Sequence, residues 1–379
     1  MADNKQTRTV TLAQAERLVL KSFKSTRRGK PSPKVPMLWG PPGIGKSELL
    51  AGIADGGQLG KTLLIDVRLP LMEPTDIRGI PYFNPEERTM KWAPSEEFPS
   101  AEQAAEYDTV ILFLDELSAA PQSVQAASYQ LMLNRRVGPY ILPDNVVVAA
   151  AGNSEGDGSV SYKMPQALRN RLVHFQLRAD FDSWFDWAVA SGIHADVLAY
   201  LNNARGDLFK FDPRSADRAY PTPRSWTFVS DIMEDAAEMG EGDLMEMVAG
   251  TIGEGFATSF MSYREIGKDL PLPKDILSGK AKELKNREVS AAYFLLFNIC
   301  EELREVSENS KATTAEFHNM VDNALNFFMK NFTKDMIVMG ARTLLFTYKL
   351  PVNPPELDCF DSLYDTVGKS VAKAMKLQK

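Results

Sequence analysis

Cysteine and histidine are scarce in this chain. Two cysteines, Cys300 and Cys359, stand among 379 residues. They are too few for a disulfide framework and lack the spacing of a zinc site, so a reducing compartment is expected. The three histidines, His174, His194 and His318, lie far apart in sequence and read as structural residues, not metal ligands. No apolar run approaches the roughly 20 residues that a membrane-spanning helix needs. The polar start Met1-Ala2-Asp3-Asn4-Lys5-Gln6 is not a secretory signal, and the expectation is a cytoplasmic protein without membrane contact. Internal repeats and low-complexity tracts are lacking as well. What is there is ordinary for a soluble globular chain: 44% hydrophobic and 25% charged residues, in a length that allows two or three domains with ample core.

The net charge is −7, but it is unevenly placed. Residues 1–34 hold nine Lys/Arg against two acids, a balance of +7, which leaves −14 for the rest. Such a basic arm suits nucleic acid or an acidic partner. The simpler reading is a solvated helix and linker, with Leu12, Ala15, Leu18, Val19 and Phe23 on one apolar stripe. Between Asp231 and Glu246 there are seven acids and no base, read as the exposed side of a helix pair.

The most informative stretch is Gly40-Pro41-Pro42-Gly43-Ile44-Gly45-Lys46-Ser47. It has the form G-x-x-x-x-G-K-[ST], a loop whose backbone N–H groups wrap nucleotide phosphates. Lys46 is placed to reach the β- and γ-phosphates, and Ser47 to offer its hydroxyl to Mg²⁺. The apolar run 35–39 before the loop reads as a strand. The stretch from Glu48 to Ala54 reads as a helix whose N-terminus receives the anion.

A second motif supports the first. Thr109-Val110-Ile111-Leu112-Phe113-Leu114-Asp115-Glu116 is a continuous apolar run ending in two carboxylates. Such a strand belongs inside a parallel sheet covered on both faces, with its acids at the edge where α/β sheets bind ligands. Asp115 is read as a Mg²⁺ holder and Glu116 as the residue that orients and polarises the attacking water. A third buried strand, 146–151, leads to Asn153, which is expected beside the γ-phosphate with its amide toward that water. After it comes a short helix with Arg169 and Arg171, and Pro221-Thr222-Pro223-Arg224 places an arginine at a later helix start.

Strand-like and helical stretches alternate through 35–180, the pattern of a parallel α/β sheet. Candidate strands are 35–39, 62–67, 109–114, 146–151 and 172–177, and Pro121 suits the first turn of a helix through Val124, Ala127, Leu131 and Met132. From Phe181 onward the pattern is helical. The expected organisation is a basic N-terminal helix and linker (1–34), an α/β nucleotide-binding core (35–180), a helical lid (181–265) and a C-terminal helical region (266–379). In the last of these, Tyr293, Phe294, Leu295, Leu296 and Phe297 are expected to be buried.

The order of these motifs resembles the AAA+ ATPases over roughly residues 10–260. Two inserts are similar to those of the MoxR branch, which includes dynein-related and chelatase-type ATPases. One runs from Arg68 through Met72-Glu73-Pro74 to Pro81, with Trp92-Ala93-Pro94 beyond; the other, 135–144, reads as a β-hairpin turning at Gly138-Pro139. The resemblance implies an ATPase working as a homo-oligomeric ring, commonly a hexamer, with ATP and Mg²⁺ between subunits. It further implies an arginine finger, best matched by Arg171 and next by Arg169, and a lid arginine that contacts the γ-phosphate, matched by Arg224. The client implied is a protein, often of von Willebrand factor A type. Two alternatives stand beside it: a motor acting on nucleic acid, and a slow-turnover scaffold that assembles on ATP.

Overall fold

The computed structural model describes residues 8–27, 35–153, 162, 164–212, 214–215, 217–285, 288–309 and 314–376. The ends of the basic arm and the residues directly after Asn153 lie outside them. The chain divides into two compact units: the first reaches to Ser183 and includes 211–216, and the second comprises 184–210 and 217 onward.

The first unit is built on one parallel sheet. Its strands are β1 (Thr9–Val10), β2 (Val35–Trp39), β3 (Thr62–Arg68), β6 (Thr109–Asp115), β9 (Val146–Gly152) and β10 (Leu172–Leu177), and two hairpins supply β4 (Ile80–Asn84) with β5 (Thr89–Ala93) and β7 (Arg136–Val137) with β8 (Tyr140–Ile141). Across the sheet the order is β1-β10-β2-β9-β6-β3, with every pairing parallel. The helices of this unit are α1 (Leu12–Arg27), α2 (Lys46–Asp55), α3 (Pro74–Arg78), α4 (Ala101–Ala105), α5 (Gln122–Asn134) and α6 (Gln166–Arg169).

Alternation along the central strands feeds two separate cores. Val110, Leu112 and Leu114 of β6 and Val146, Val148 and Ala150 of β9 pack on one face with Val124, Ala127, Leu131 and Met132 of α5. Ile111, Phe113, Val147, Ala149 and Ala151 pack on the other with Ala15, Val19 and Phe23 of α1 and Leu49, Leu50 and Ile53 of α2. A strand buried on both sides must be apolar at every residue, which is why these runs are continuous rather than alternating. Leu18 departs from the expected stripe on α1: it is 39% exposed while its neighbours Val19 and Leu20 are buried. The exposed face carries Arg17, Lys21 and Lys24, as a solvated helix face should.

The second unit is helical, with α7 (Phe181–Ala190), α8 (Ala195–Asn203), α9 (Pro223–Glu234), α10 (Glu241–Ile252), α11 (Glu254–Glu265), α12 (Pro273–Leu277), α13 (Val289–Asn309), α14 (Thr314–Asn331), α15 (Lys334–Arg342) and α16 (Phe360–Lys376). Trp226 meets Tyr200 and Phe260 at ring separations of 5.4 and 5.8 Å, and its indole N–H donates to the Asp207 carbonyl over 2.9 Å. Buried Asp196 is paired with Arg264 at 2.9 Å and accepts from Asn298, so this carboxylate is compensated as a buried charge requires. Leu295, Leu296 and Phe297 are buried, with Tyr293 and Phe294 partly so. Both cysteines are buried, and burial pushes both thiols well above their ordinary range, which suits inert core residues. The seven acids from Asp231 to Glu246 are all exposed. No helix among the described residues is long and apolar enough to cross a membrane.

Candidate nucleotide site

In the parallel sheet, β9 lies between β2 and β6. Chain ends at 40, 116 and 153 therefore emerge together at one edge, where open parallel sheets bind ligands.

After β2 the chain turns through the glycine-rich loop into α2. Gly43 and Gly45 have φ of 72° and 102°, a region that side-chain-bearing residues rarely adopt. Gly45 caps α2 without a capping side chain, the arrangement in which helix N–H groups take an anion instead. Packing holds the loop in place: buried Gly40 donates to the Gly152 carbonyl over 3.3 Å, and Ile44 is buried beneath it. Pro41 and Pro42 are half-buried, and Glu48 is exposed on the first turn of α2.

Lys46 Nζ donates to the carbonyls of Gly40 at 2.7 Å and Pro41 at 3.1 Å, and to Asn153 Oδ1 at 3.0 Å. The ammonium thus joins the loop to the end of β9. Ser47 Oγ lies 3.5 Å from Asp115 Oδ2. Two hard oxygen ligands at this separation fit Mg²⁺, which is bound through few protein groups and keeps several waters. Among the described residues no group of three or more His, Cys, Asp or Glu could hold a metal.

Asp115 Oδ1 accepts from the Glu116 N–H over 2.8 Å. Glu116 itself has φ of 54°, a strained setting for a non-glycine residue of the kind found at functional sites. Its carboxylate is exposed, while Leu117 directly after it is buried and donates to the Ala151 carbonyl. The turn is thereby anchored to β9 and presents Glu116 to solvent.

Three features of this site go beyond the motifs. Ser118, 3% exposed, accepts from the Asn153 N–H over 3.0 Å and donates to the Asn153 carbonyl over 3.2 Å. Nothing in one sequence marks this serine. Asp66 on β3 is raised above the ordinary aspartate range, first by burial, then by the charge of Asp115; an acid inside the apolar run Leu64-Ile65-Asp66-Val67 was the legible signal. Trp39 and His174 form a hydrogen-bonded ring pair, invisible in sequence because 135 residues separate them.

Arg169 and Arg171 are exposed at the start of β10, where Leu172 pairs with Val35. That is the opposite end of the sheet from the phosphate loop. Arg224 is exposed in the first turn of α9, in the second unit, after a capping box of Thr222 and Ser225. The 135–144 segment is the expected hairpin, with Arg136 paired to Ile141 and Val137 to Tyr140. Arg135, however, spends its guanidinium on the carbonyls of Val146 and Pro143.

No protein-family model matches the sequence, and none of the curated proteins matches it. Solved structures show a general likeness. A RuvB point mutant from Thermotoga maritima is 16% identical with a TM-score of 0.38, covering 71% of this chain and 76% of that one. The Thermotoga maritima RuvB Holliday junction branch migration motor is 16% identical at a TM-score of 0.34, over 70% and 74%. NtrX from Brucella abortus is 14% identical at 0.36, over 80% and 67%. Scores of this size assign neither activity, assembly nor partner to this chain.

Proposed function

We propose that this chain is an AAA+ ATPase of the MoxR type, which binds ATP with Mg²⁺ at the loop from Gly40 to Ser47 and hydrolyses it to drive rearrangement of a protein partner. The observation that carries the reading is the convergence of Lys46 with Asn153 and of Ser47 with Asp115 at the end of adjacent parallel strands. Lys46 supplies positive charge to the β- and γ-phosphates, Glu116 takes the proton of the attacking water, and Asn153 orients that water. Bound Mg²⁺, held by Ser47 and through water by Asp115, contributes charge neutralisation at the phosphates.

An arginine is required where negative charge grows on the γ-phosphate. Arg171, or Arg169 beside it, sits roughly five residues along β10 from the level of Trp39, or about 16 Å at ~3.3 Å per residue. Neither reaches the phosphates of its own chain, so the arginine serves a neighbouring copy in a ring-shaped homo-oligomer, with six subunits the commonest number for such rings. Arg224 is assigned to the nucleotide as a lid arginine, within a lid of residues 181–265.

The partner is a protein, with a von Willebrand factor A-type domain as the leading candidate. Support comes from the β4–β5 hairpin, whose register places Pro81 beside Trp92 and Phe83 beside Met90; Phe83 and Met90 are 61% and 62% exposed. Apolar exposure of this kind marks protein contact surfaces. A nucleic-acid motor is the second reading, supported by the exposed Arg17, Lys21 and Lys24 row on α1. Such a motor would use the adjacent bases Arg135 and Arg136 of the 135–144 hairpin, and Arg135 is engaged with main-chain carbonyls instead.

The test is capture with Glu116→Gln in Mg·ATP, with and without nuclease. A nuclease-resistant protein retained only with ATP supports remodelling. Nucleic acid alone points to the motor, and ATP-driven assembly with no turnover by the wild type points to a scaffold.

A further inference from the structure

Trp39 is the last residue of β2 before the phosphate loop, and its indole N–H donates to His174 Nδ1 over 2.8 Å. The rings lie side by side, 19° from parallel, with centroids 6.0 Å apart. On the other side of the imidazole, Nε2 lies 2.8 Å from the Arg169 carbonyl. An indole nitrogen can only donate and a carbonyl can only accept. The two partners therefore select one tautomer: Nδ1 accepts from Trp39, and the proton on Nε2 is donated to Arg169. A neutral histidine meets both demands with one rigid ring.

This chain of contacts runs along the sheet rather than across it. His174 pairs with Met37, and Gln176 with Trp39, so the Trp39 indole reaches back along β10 to His174, which in turn reaches back to Arg169. The phosphate-loop end of β2 is thus tied to the turn that carries Arg169 and Arg171, at the far end of the neighbouring strand. Arg171 and Arg169 are both exposed, and α6, which ends at Arg169, is a single turn of four residues, too short to fix itself. The His174 bond supplies an external anchor.

We infer that His174 is a positioning residue: through Trp39 and the Arg169 carbonyl it holds the arginine turn at the place from which the arginine reaches the nucleotide of a neighbouring chain. The inference rests on the proposed role of Arg171 or Arg169.

The test uses the full chain with His174→Phe, which keeps a ring of similar size and removes both hydrogen bonds. Hydrolysis should fall by about tenfold or more, as small misplacements of a catalytic group do. ATP affinity should stay within about twofold, because the variant's own phosphate loop is untouched. Mixing His174→Phe with Glu116→Gln should restore hydrolysis above the sum of the two alone: the Glu116→Gln chain offers a well-held arginine to a neighbour whose acids are intact. Trp39→Phe, which removes the N–H together with one ring of the indole and leaves His174 bonded to Arg169, should repeat the loss in smaller measure, and it replaces His174→Phe if that variant does not fold. A wild-type rate in both variants, while the double variant Arg169→Ala with Arg171→Ala is inactive, overturns the inference and leaves the arginine reading intact. Loss that mixing does not restore also overturns it, placing His174 in its own chain's site. A wild-type rate in the double arginine variant overturns both.

Discussion

Ser118 holds Asn153 by both ends of its main chain, accepting from the N–H at 3.0 Å and donating to the carbonyl at 3.2 Å. Since Ser118 lies two residues after Glu116, one hydroxyl couples the acidic turn on β6 to the amide at the end of β9. Ser118→Ala should cost about 1–2 kcal/mol of stability, as loss of buried hydrogen bonds does. It should also lower the hydrolysis rate more than it lowers ATP affinity. Denaturant unfolding together with steady-state kinetics checks both, and a variant with wild-type kinetics would show that Asn153 needs no such clamp.

Gly152 is held to glycine by this clamp. A Cβ there would stand 2.8 Å from Ser118 Oγ and 2.9 Å from Met37 Cε, closer than real contacts allow. Gly152→Ala should therefore destabilise by about 1–3 kcal/mol through overpacking. Removing the hydroxyl makes room, so Gly152→Ala combined with Ser118→Ala should be less destabilised than the two single effects together, by about 0.5 kcal/mol or more. Strict additivity in a double-mutant cycle would contradict this packing account.

Glu116 is exposed at the tip of a strained turn, and its proposed contribution is to the reaction rather than to the core. Glu116→Gln should bind ATP as the wild type does and hydrolyse it about 10²–10⁴-fold more slowly, the range expected for loss of a general base. Filter binding and phosphate release on the same preparation decide it; a rate within a few-fold of wild type removes Glu116 from its role.

Asp66 resists ionisation in the folded chain because it is partly desolvated and faces Asp115, with Arg68 opposing and Glu116 adding to the effect. A carboxyl raised on folding is favoured in its neutral form. That contribution is fully present below the ordinary aspartate range and is lost as pH rises through the raised value. Asp66→Asn, neutral at every pH, should melt above wild type at neutral pH, with the difference closing as pH falls toward about 4. Thermal melts across that range check it, and a variant that melts lower at neutral pH would show that the charge is needed for the fold.

Phe83 and Met90 face each other across β4 and β5 and are both largely exposed. Replacing both with serine should leave stability within about 0.5 kcal/mol, as surface substitutions do, and should leave basal hydrolysis unchanged. Capture of a partner by the Glu116→Gln chain should be lost. Retained capture would move the contact surface elsewhere.

Much of this architecture was legible in the residues. The runs 35–39, 110–114 and 146–151 are apolar at each position because both faces of their strands meet a core, and that pattern needs only local reading. The loop from Gly40 to Ser47 was legible for a similar reason: positive φ at Gly43 and Gly45 demands glycine at fixed spacing. The Gly138 turn also followed from local chemistry, with its φ of 54°. Leu18 was misplaced because a stripe of period 3.6 has an edge, and only packing decides which side of it a residue takes.

What the chain determined by itself is therefore what neighbouring residues determine: strands, turns, the glycine-rich loop and the acids at a strand end. The tertiary structure alone decided which strands adjoin. That adjacency brings Lys46 to Asn153 across 107 positions, Ser118 to Asn153 across 35 and Trp39 to His174 across 135. It also set Arg171 at the sheet end remote from its own loop. Such contacts arise from the order in which a parallel sheet is assembled, and no local pattern of residues encodes that order.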